Sequence, residues 1–352
     1  MLLNSRIRAF VKLGNFLSQF APGNIVENDN ISNNDLFFDA FKMQIKRAHE
    51  FNGWFTEDNI LYAFNNWSKI LTSSNLKTWT SFYKLKNNPV KKVAIIMAGN
   101  IPLVGFHDFL SVLISGNEVI VKQSSNDRHF LPLIAKYLEK IEPDFKNKIE
   151  FTDENLKIFD AVIATGSNNT ARYFEYYFGK YPNIIRKNRN SIAVITGEES
   201  KNDLKNLGED IFRYFGLGCR SVAKIFVPKD YDFDLLFQAI YPHKNIIEYK
   251  KYENNYDYNK AVYMMSQFKI IENGFIMFKE DNSYASPIAS LFYEYYEDLD
   301  ILKMKLKQDK ESIQCIVGNS GIENMVKFGE TQKPQLTDYA DGVDTLDFLQ
   351  KL

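Results

Sequence analysis

The sequence predicts an α/β protein of doubly wound, mainly parallel sheets in two Rossmann-like lobes. Three observations lead there. From Lys91 onward, short apolar runs closed by small or turn-forming residues alternate with segments of helical spacing. The alternation resumes, less regularly, after Thr196. No repeat period or low-complexity tract points to a solenoid instead.

The elements follow in order. Phe37–Ala48 and Thr56–Ile70 carry apolar residues at helical spacing, which makes residues 1–90 a helical lead-in. Val93–Ala98 is a compact apolar run stopped by Gly99. It reads as a strand buried on both faces, as parallel sheets require. Val104–Ile114 returns to helical spacing, closed by Ser115-Gly116-Asn117. Glu118–Lys122 is a second strand, followed by a helix from about Asp127 to Ile141. Lys148–Phe151, Ala161–Ala164 and Ser191–Thr196 are further short strands with helical segments between them. Beyond them, Val222–Val227 is a strand ended by Pro228, and Phe233–Ile240 a helix. Tyr249–Tyr263, crowded with Asn, Tyr and Lys, reads as a surface region. Ile288–Tyr293 and Ile313–Val317 are strands flanking a charged helix, Asp298–Lys307. The tail Phe328–Leu352 is acidic and turn-rich.

Composition narrows the function classes. The 352 residues carry 43 Lys and Arg against 44 Asp and Glu, a net charge of −1. That balance excludes broad attraction to nucleic acid or an acidic membrane as the basis of activity. With 45% hydrophobic and 25% charged residues, the chain is globular rather than disordered. Aromatics reach 15%, which furnishes a ring-rich core and suits an apolar ligand channel. The apolar runs are far too short to span a membrane. The basic start, MLLNSRIRAFVKLGNFLSQF, lacks the unbroken apolar stretch of a cleaved signal peptide. Two widely separated cysteines, Cys219 and Cys315, exclude a disulfide framework and suit a reducing cytoplasm. His49, His107, His129 and His243 have no partner at ligand spacing and no CxxC exists, so no metal site is expected.

Several residues have chemistry to offer. Cys219 lies in the turn Gly216-Leu217-Gly218-Cys219-Arg220-Ser221, just before a strand. Small neighbours admit a substrate carbonyl, backbone N–H groups can face a developing oxyanion, and Arg220 can steady a thiolate. A small buried hydrophobe is the alternative. Cys315, in an apolar run, reads as core. Asn100 follows the first strand, at the edge where open α/β sheets bind ligands, and offers an uncharged donor, although Asn is also a common turn former. Lys122 ends the second strand ahead of hydroxyls and a helix start, where it can hold a ribose or phosphate or simply reach solvent. Thr165-Gly166-Ser167 opens a helix and offers N–H groups to a pyrophosphate, as many strand–glycine–helix junctions would. Neither GxGxxG nor GxxxxGK[ST] is present. His107-Asp108 reads as a helix cap, and Arg186-Lys187-Asn188-Arg189 as a solvated charge run.

Taken in order, Ala98-Gly99-Asn100-Ile101-Pro102, Val121-Lys122, Thr165-Gly166-Ser167, Gly218-Cys219-Arg220-Ser221 and Ser286-Pro287 resemble the aldehyde dehydrogenase superfamily. The phrases MAGNIPLVGFHDFLSVLISGNEVIVKQSSND, FGLGCRSVAKIFVP and LTDYADGVDTLDFL resemble its acyl-CoA reductase (LuxC-type) branch, which includes the fatty acid reductase supplying aldehyde to bacterial luciferase. The resemblance runs from about Lys91 to the C-terminus and implies an aldehyde dehydrogenase-like fold. It implies a helical lead-in at 1–90 packed on a cofactor-binding lobe at 91–196. A catalytic lobe at 197–325 and a tail at 326–352 packing back across the fold complete the plan.

By position, the resemblance makes Cys219 the nucleophile and Asn100 the oxyanion-hole amide. It makes Lys122 the residue that holds the adenosine ribose or its phosphate, and Gly166 and Ser167 the turn beside the pyrophosphate. The family's acid-releasing members place a glutamate base one strand before the cysteine; here Arg186 falls near that slot. Without such a base, a thioester intermediate is left for hydride or another thiol. A glutamate three places after the lysine marks many NAD-preferring members; here Ser125 stands there, and Ser124 and Ser125 beside Lys122 suit the 2′-phosphate of NADPH. The glutamate that grips the nicotinamide ribose is replaced by Ser283. The expectation is NADPH-dependent reduction of a long-chain fatty acyl-CoA or acyl-carrier thioester to the aldehyde, in a cytoplasmic homo-oligomer. A CoA-acylating dehydrogenase of a short aldehyde, a non-catalytic acyl-binding scaffold and a plain nucleotide-binding module remain as alternatives.

Overall fold

The computed structural model describes residues 1–85 and 89–352. Residues 86–88, part of the expected lead-in, lie outside the described residues. The chain forms two compact units, Met1–Lys187 with Gln335–Leu352, and Asn188–Pro334. The division falls before the strand Asn190–Val194, whereas the sequence reading placed a boundary after it. The strand's partners explain the difference: it pairs in parallel with Val222–Pro228 and Ile313–Val317 in the second unit's sheet.

In the first unit, five parallel strands run in the order Ile149–Phe151, Glu118–Lys122, Lys92–Ile96, Ala161–Thr165, Asn183–Arg186. Lys92 stands opposite Glu118 and Ile96 opposite Lys122, so the central strands end level with one another. Val93, Ala94 and Ile95 are fully covered, as are Ala161 to Ala164, which is why these runs are continuously apolar. The helices Leu3–Leu17, Asn34–Phe51, Glu57–Ile70 and Ser73–Ser81 supply much of the cover. Thr56 and Thr72 cap the latter two, each accepting an N–H three residues on. The abundant rings are spent here: Phe10, Phe16, Phe41, Phe64 and Trp79 are buried in one core with the sheet, and Phe16 packs on Tyr137 at 4.4 Å between centroids. The tail from Gln335 joins this unit through Leu346 and Leu349, both buried.

The second unit's sheet runs Ile270–Glu272, Met277–Glu280, Ser290–Tyr296, Val222–Pro228, Asn190–Val194, Ile313–Val317. All neighbours are parallel except the first pair. The expected surface region Tyr249–Tyr263 is instead the helix Lys250–Met265. Tyr252, Tyr256, Asn259 and Tyr263, spaced four, three and four apart, face inward, and Tyr252 Oη donates to the Phe275 carbonyl at 3.0 Å. Tyrosine's apolar body is what makes a polar-looking segment packable. Among the described residues, no helix is long and apolar enough to cross a membrane.

Candidate active site

The first sheet's strand order puts a switch point between Lys92–Ile96 and Ala161–Thr165, because the chain leaves these two neighbours toward opposite edges. Ligands bind outside the carboxyl ends of strands at such points. Three loops emerge there: Met97–Gly105, Gln123–His129 and Gly166–Ser167. Asn100 is exposed on the first. The Asn52 side-chain amide ties that loop to the second, donating to the Gly99 carbonyl at 3.4 Å and the Asn126 carbonyl at 3.2 Å. A Cβ on Gly99 would come within 2.6 Å of Ser124 Oγ, so only glycine allows the two loops this approach. Ser124 is thereby held against Gly99, its hydroxyl accepting the Asn126 N–H at 3.3 Å, while Ser125 is exposed. Lys122 is half-buried, with its ammonium donating to the Glu154 carbonyl at 3.1 Å.

Ser167 caps the helix Asn168–Phe178, its hydroxyl accepting the Thr170 N–H at 3.2 Å. A Cβ on Gly166 would stand 3.0 Å from the side chains of both Thr170 and Phe174, so tight packing of the first helical turn already accounts for that glycine.

Asp127 belongs to this edge and was missed in the sequence, where it reads as a helix start. The helix begins only at Phe130, and Asp127 Oδ2 instead accepts the Leu103 N–H at 3.1 Å. Leu103 has a left-handed backbone, φ 57°, which this bond helps to hold. Asp127 Oδ1 is buried without a hydrogen-bond partner, and burial pushes the carboxyl up to about 7.

In the second unit, the helix Lys201–Phe212 begins at a capping box of Ser200 and Asp203. It leads into Tyr214, Phe215 and Gly216, with φ of 57°, 58° and 74°. The turn Leu217–Ser221 follows and feeds the strand Val222–Pro228. Cys219 is partly exposed; Cys315 is buried in its strand. Three successive residues of the nucleophile candidate's turn, Cys219, Arg220 and Ser221, are pinned from elsewhere in this unit. The Cys219 carbonyl accepts the Ser191 hydroxyl at 3.0 Å. Arg220 Nε donates to the Thr331 carbonyl at 2.5 Å, and Ser221 Oγ accepts the Gln332 amide at 3.2 Å. Ser283, on an exposed loop, accepts the Ala285 N–H and donates its own to Asp281.

The charge run is solvated as expected at Lys187 and Asn188, which are exposed, but not at its first residue. Arg186 is buried at the end of its strand, bound to Asp108 and to Thr345 Oγ1 at 3.2 Å. Lys187 pairs with Glu175 at 2.8 Å. Asp108 accordingly is no helix cap. His107 bonds the Leu336 carbonyl at 2.9 Å among the rings of Trp67, Trp79 and Tyr339, and burial lowers its pKa. Among the described residues, no group of three or more His, Cys, Asp or Glu is placed to hold a metal ion.

Residues 70–236 match the family Acyl-CoA reductase (LuxC), a stretch that includes Asn100, Lys122, Ser124, Ser125, Gly166, Ser167 and Cys219. The fold is that of aldehyde dehydrogenases. Aldehyde dehydrogenase 21 from Physcomitrella patens, solved with the reaction product succinate, matches with a TM-score of 0.71 at 10% identity, over 100% of this chain and 84% of that one. A variant of the indole-3-acetaldehyde dehydrogenase AldA from P. syringae, in complex with NAD+ and IAA, matches with 0.61 at 12% identity, over 92% and 74%. The aldehyde dehydrogenase KauB from Pseudomonas aeruginosa gives 0.55 at 14%, over 86% and 69%. No curated protein matches by sequence.

Proposed function

From the match of residues 70–236 to the acyl-CoA reductase (LuxC) family, we propose that the chain reduces a long-chain fatty acyl thioester, on CoA or a carrier protein, to the aldehyde with NADPH. The observation that carries the proposal is the contrast between the two thiols. Cys219 is accessible on a turn braced at three successive residues, whereas Cys315 is buried in a strand.

The Cys219 thiolate attacks the acyl carbonyl; the new C–S bond forms as the C=O π bond opens to a tetrahedral oxyanion, whose collapse breaks the bond to CoA, which leaves as its thiol once protonated. The Asn100 side-chain amide and the Cys219 N–H hold the oxyanion. NADPH, when bound, supplies the hydride that converts the acyl-enzyme carbonyl to a thiohemiacetal. Collapse of that adduct re-forms a carbonyl, expels the Cys219 thiolate and frees the aldehyde. The resemblance puts Arg186 near the slot of the base that acid-releasing members use, and its commitment to Asp108 supports a route in which hydride rather than activated water meets the thioester.

The first unit's residues fit a phosphorylated dinucleotide. Exposed Ser125 and Ser167 and the Lys122 ammonium lie at the carboxyl ends of strands on either side of the switch point, and no carboxylate at 125 repels a 2′-phosphate. We further propose a cytoplasmic protein, which two free cysteines suit, and a homo-oligomer, which sedimentation analysis tests.

The test is to incubate the protein with NADPH and a series of acyl-CoAs, following cofactor absorbance, released thiol and aldehyde. Matched oxidation, CoA release and aldehyde formation support the reading, and the preferred chain length names the substrate. Thiol release without NADPH oxidation leaves Cys219 as an acyl acceptor and removes the hydride step. Absence of both NADPH oxidation and thiol release overturns the reading.

A further inference from the structure

We infer that the segment Phe328–Gln332, seated on Asp210, positions the nucleophile turn, with Thr331 as the residue that joins the two. The inference rests on Cys219 being the nucleophile proposed above. Asp210 lies in the last turn of the helix Lys201–Phe212 and is 0% exposed. A helix C-terminus carries partial negative charge, and a dry interior disfavours an ionised carboxylate. Both effects make this an unfavourable place for Asp unless donors converge on it. Three do. The Gly329 N–H donates to Oδ2 at 2.7 Å, and the Thr331 N–H and hydroxyl donate to Oδ1 at 3.0 and 2.7 Å.

The other side of the same segment meets the turn. Thr331's carbonyl accepts Arg220 Nε, and Gln332 donates to Ser221 Oγ. Thr331 therefore uses its N–H and hydroxyl on the helix and its carbonyl on the turn. Ser191, reaching Cys219's own carbonyl, supplies the third pin. Ser191 and Thr331 are 0% exposed and Gln332 7%, so each pin has its anchoring side buried. The need for outside support is visible in the approach. Tyr214 and Phe215 adopt left-handed backbones that L-residues with side chains resist, and a turn entered through them is not self-supporting. Asp210 and Thr331 touch neither substrate nor cofactor in this account; they act through Arg220 and Ser221 as positioning residues.

The experiment compares Thr331→Val, Thr331→Ser and Asp210→Asn with the wild type. Thr331→Val keeps the volume and backbone bonds but deletes the hydroxyl; Asp210→Asn turns one acceptor into a donor against an N–H. The readouts are kcat and KM, and alkylation of each cysteine by iodoacetamide followed by peptide mass. Cys315, buried, gauges general loosening. Expected for Thr331→Val and Asp210→Asn is a fall in kcat of about tenfold with KM for NADPH within about twofold, and a Cys219 alkylation rate altered about threefold or more. Cys315 stays unlabelled, and Thr331→Ser restores wild-type values. Wild-type kcat and Cys219 alkylation in Thr331→Val would overturn the inference, as would Cys315 labelling in step with Cys219. Should Asp210→Asn not fold, Thr331→Val decides alone. A wild-type protein that forms no acyl-enzyme from acyl-CoA defeats the functional reading instead, and the alkylation rates still judge the brace.

Discussion

Asp108 and Arg186, 78 residues apart in sequence, form a buried bidentate pair that joins the helix Phe106–Ser115 to the strand Asn183–Arg186. Their side chains are only 5% and 8% exposed, and Thr345 from the tail's helix accepts a further bond from the same guanidinium. Three elements of the first unit thus meet at one charge pair. Removing one partner strands the other's charge away from water. Asp108→Ala is expected to lower unfolding free energy by about 3–5 kcal/mol in urea titration, while the double variant Asp108→Leu, Arg186→Met loses clearly less than the sum of the single changes. A loss under about 1 kcal/mol for Asp108→Ala would contradict the buried-charge account.

Asp127 gives the first unit a pH dependence of definite sign. Its carboxyl, pushed up to about 7 from 3.8, binds its proton more readily in the folded than in the unfolded chain. Between those values the folded state holds the extra proton, so this group's contribution to stability falls as pH rises through the window and is level above it. Asp127→Asn mimics the protonated form and keeps an acceptor for the Leu103 N–H. Its stability relative to wild type should rise from near zero at pH 4 to on the order of 2–4 kcal/mol at pH 8. Parallel stability curves for the two proteins across that range would sink the assignment.

Loss of an oxyanion donor is read in turnover rather than folding. Asn100→Ala should lower kcat about 10²–10³-fold, with the melting temperature little changed because Asn100 is exposed. Cys219→Ala should form no labelled acyl-enzyme from radioactive acyl-CoA. Wild-type turnover in the first variant, or a labelled second one, would reassign these residues.

Cofactor choice is testable at one exposed position. Ser125→Glu places a carboxylate beside Lys122, where it would repel a 2′-phosphate but not a ribose hydroxyl. The ratio of kcat/KM for NADPH over NADH should drop by about tenfold or more, equivalent to about 1.4 kcal/mol of discrimination. An unchanged ratio would show that the phosphate is read elsewhere.

The strands were legible because their signal is local. Val93–Ala98, Glu118–Lys122, Ala161–Ala164, Val222–Val227 and Ile313–Val317 were each marked by an apolar run with a turn beside it, and each contains or overlaps an observed strand. Short strands were not: Asn183–Arg186 runs into the charged segment at its last residue, and Met277–Glu280 gave no pattern of its own. The helix Lys250–Met265 was misread because its buried face is made of tyrosines and an asparagine, which composition counts as polar. The glycine-flanked Cys219 turn and the Asn100 loop stood out by residue type. Asp127 and Asp210 did not, since a lone aspartate near a helix end reads as a cap or as surface.

The amino-acid order by itself determined the alternation of buried strands and amphipathic helices, and it singled out one thiol on a small-residue turn. Backbone hydrogen bonding and side-chain periodicity act over a few residues, so such features are written locally. Tertiary structure alone decided that Asn190–Val194 joins the second sheet, that Arg186 is consumed by Asp108, and that Asp210 anchors a segment 119 and 121 residues away behind the Cys219 turn. A buried polar group is stable only once its partners arrive from elsewhere in the chain, and no local window of sequence contains both halves of such a pair.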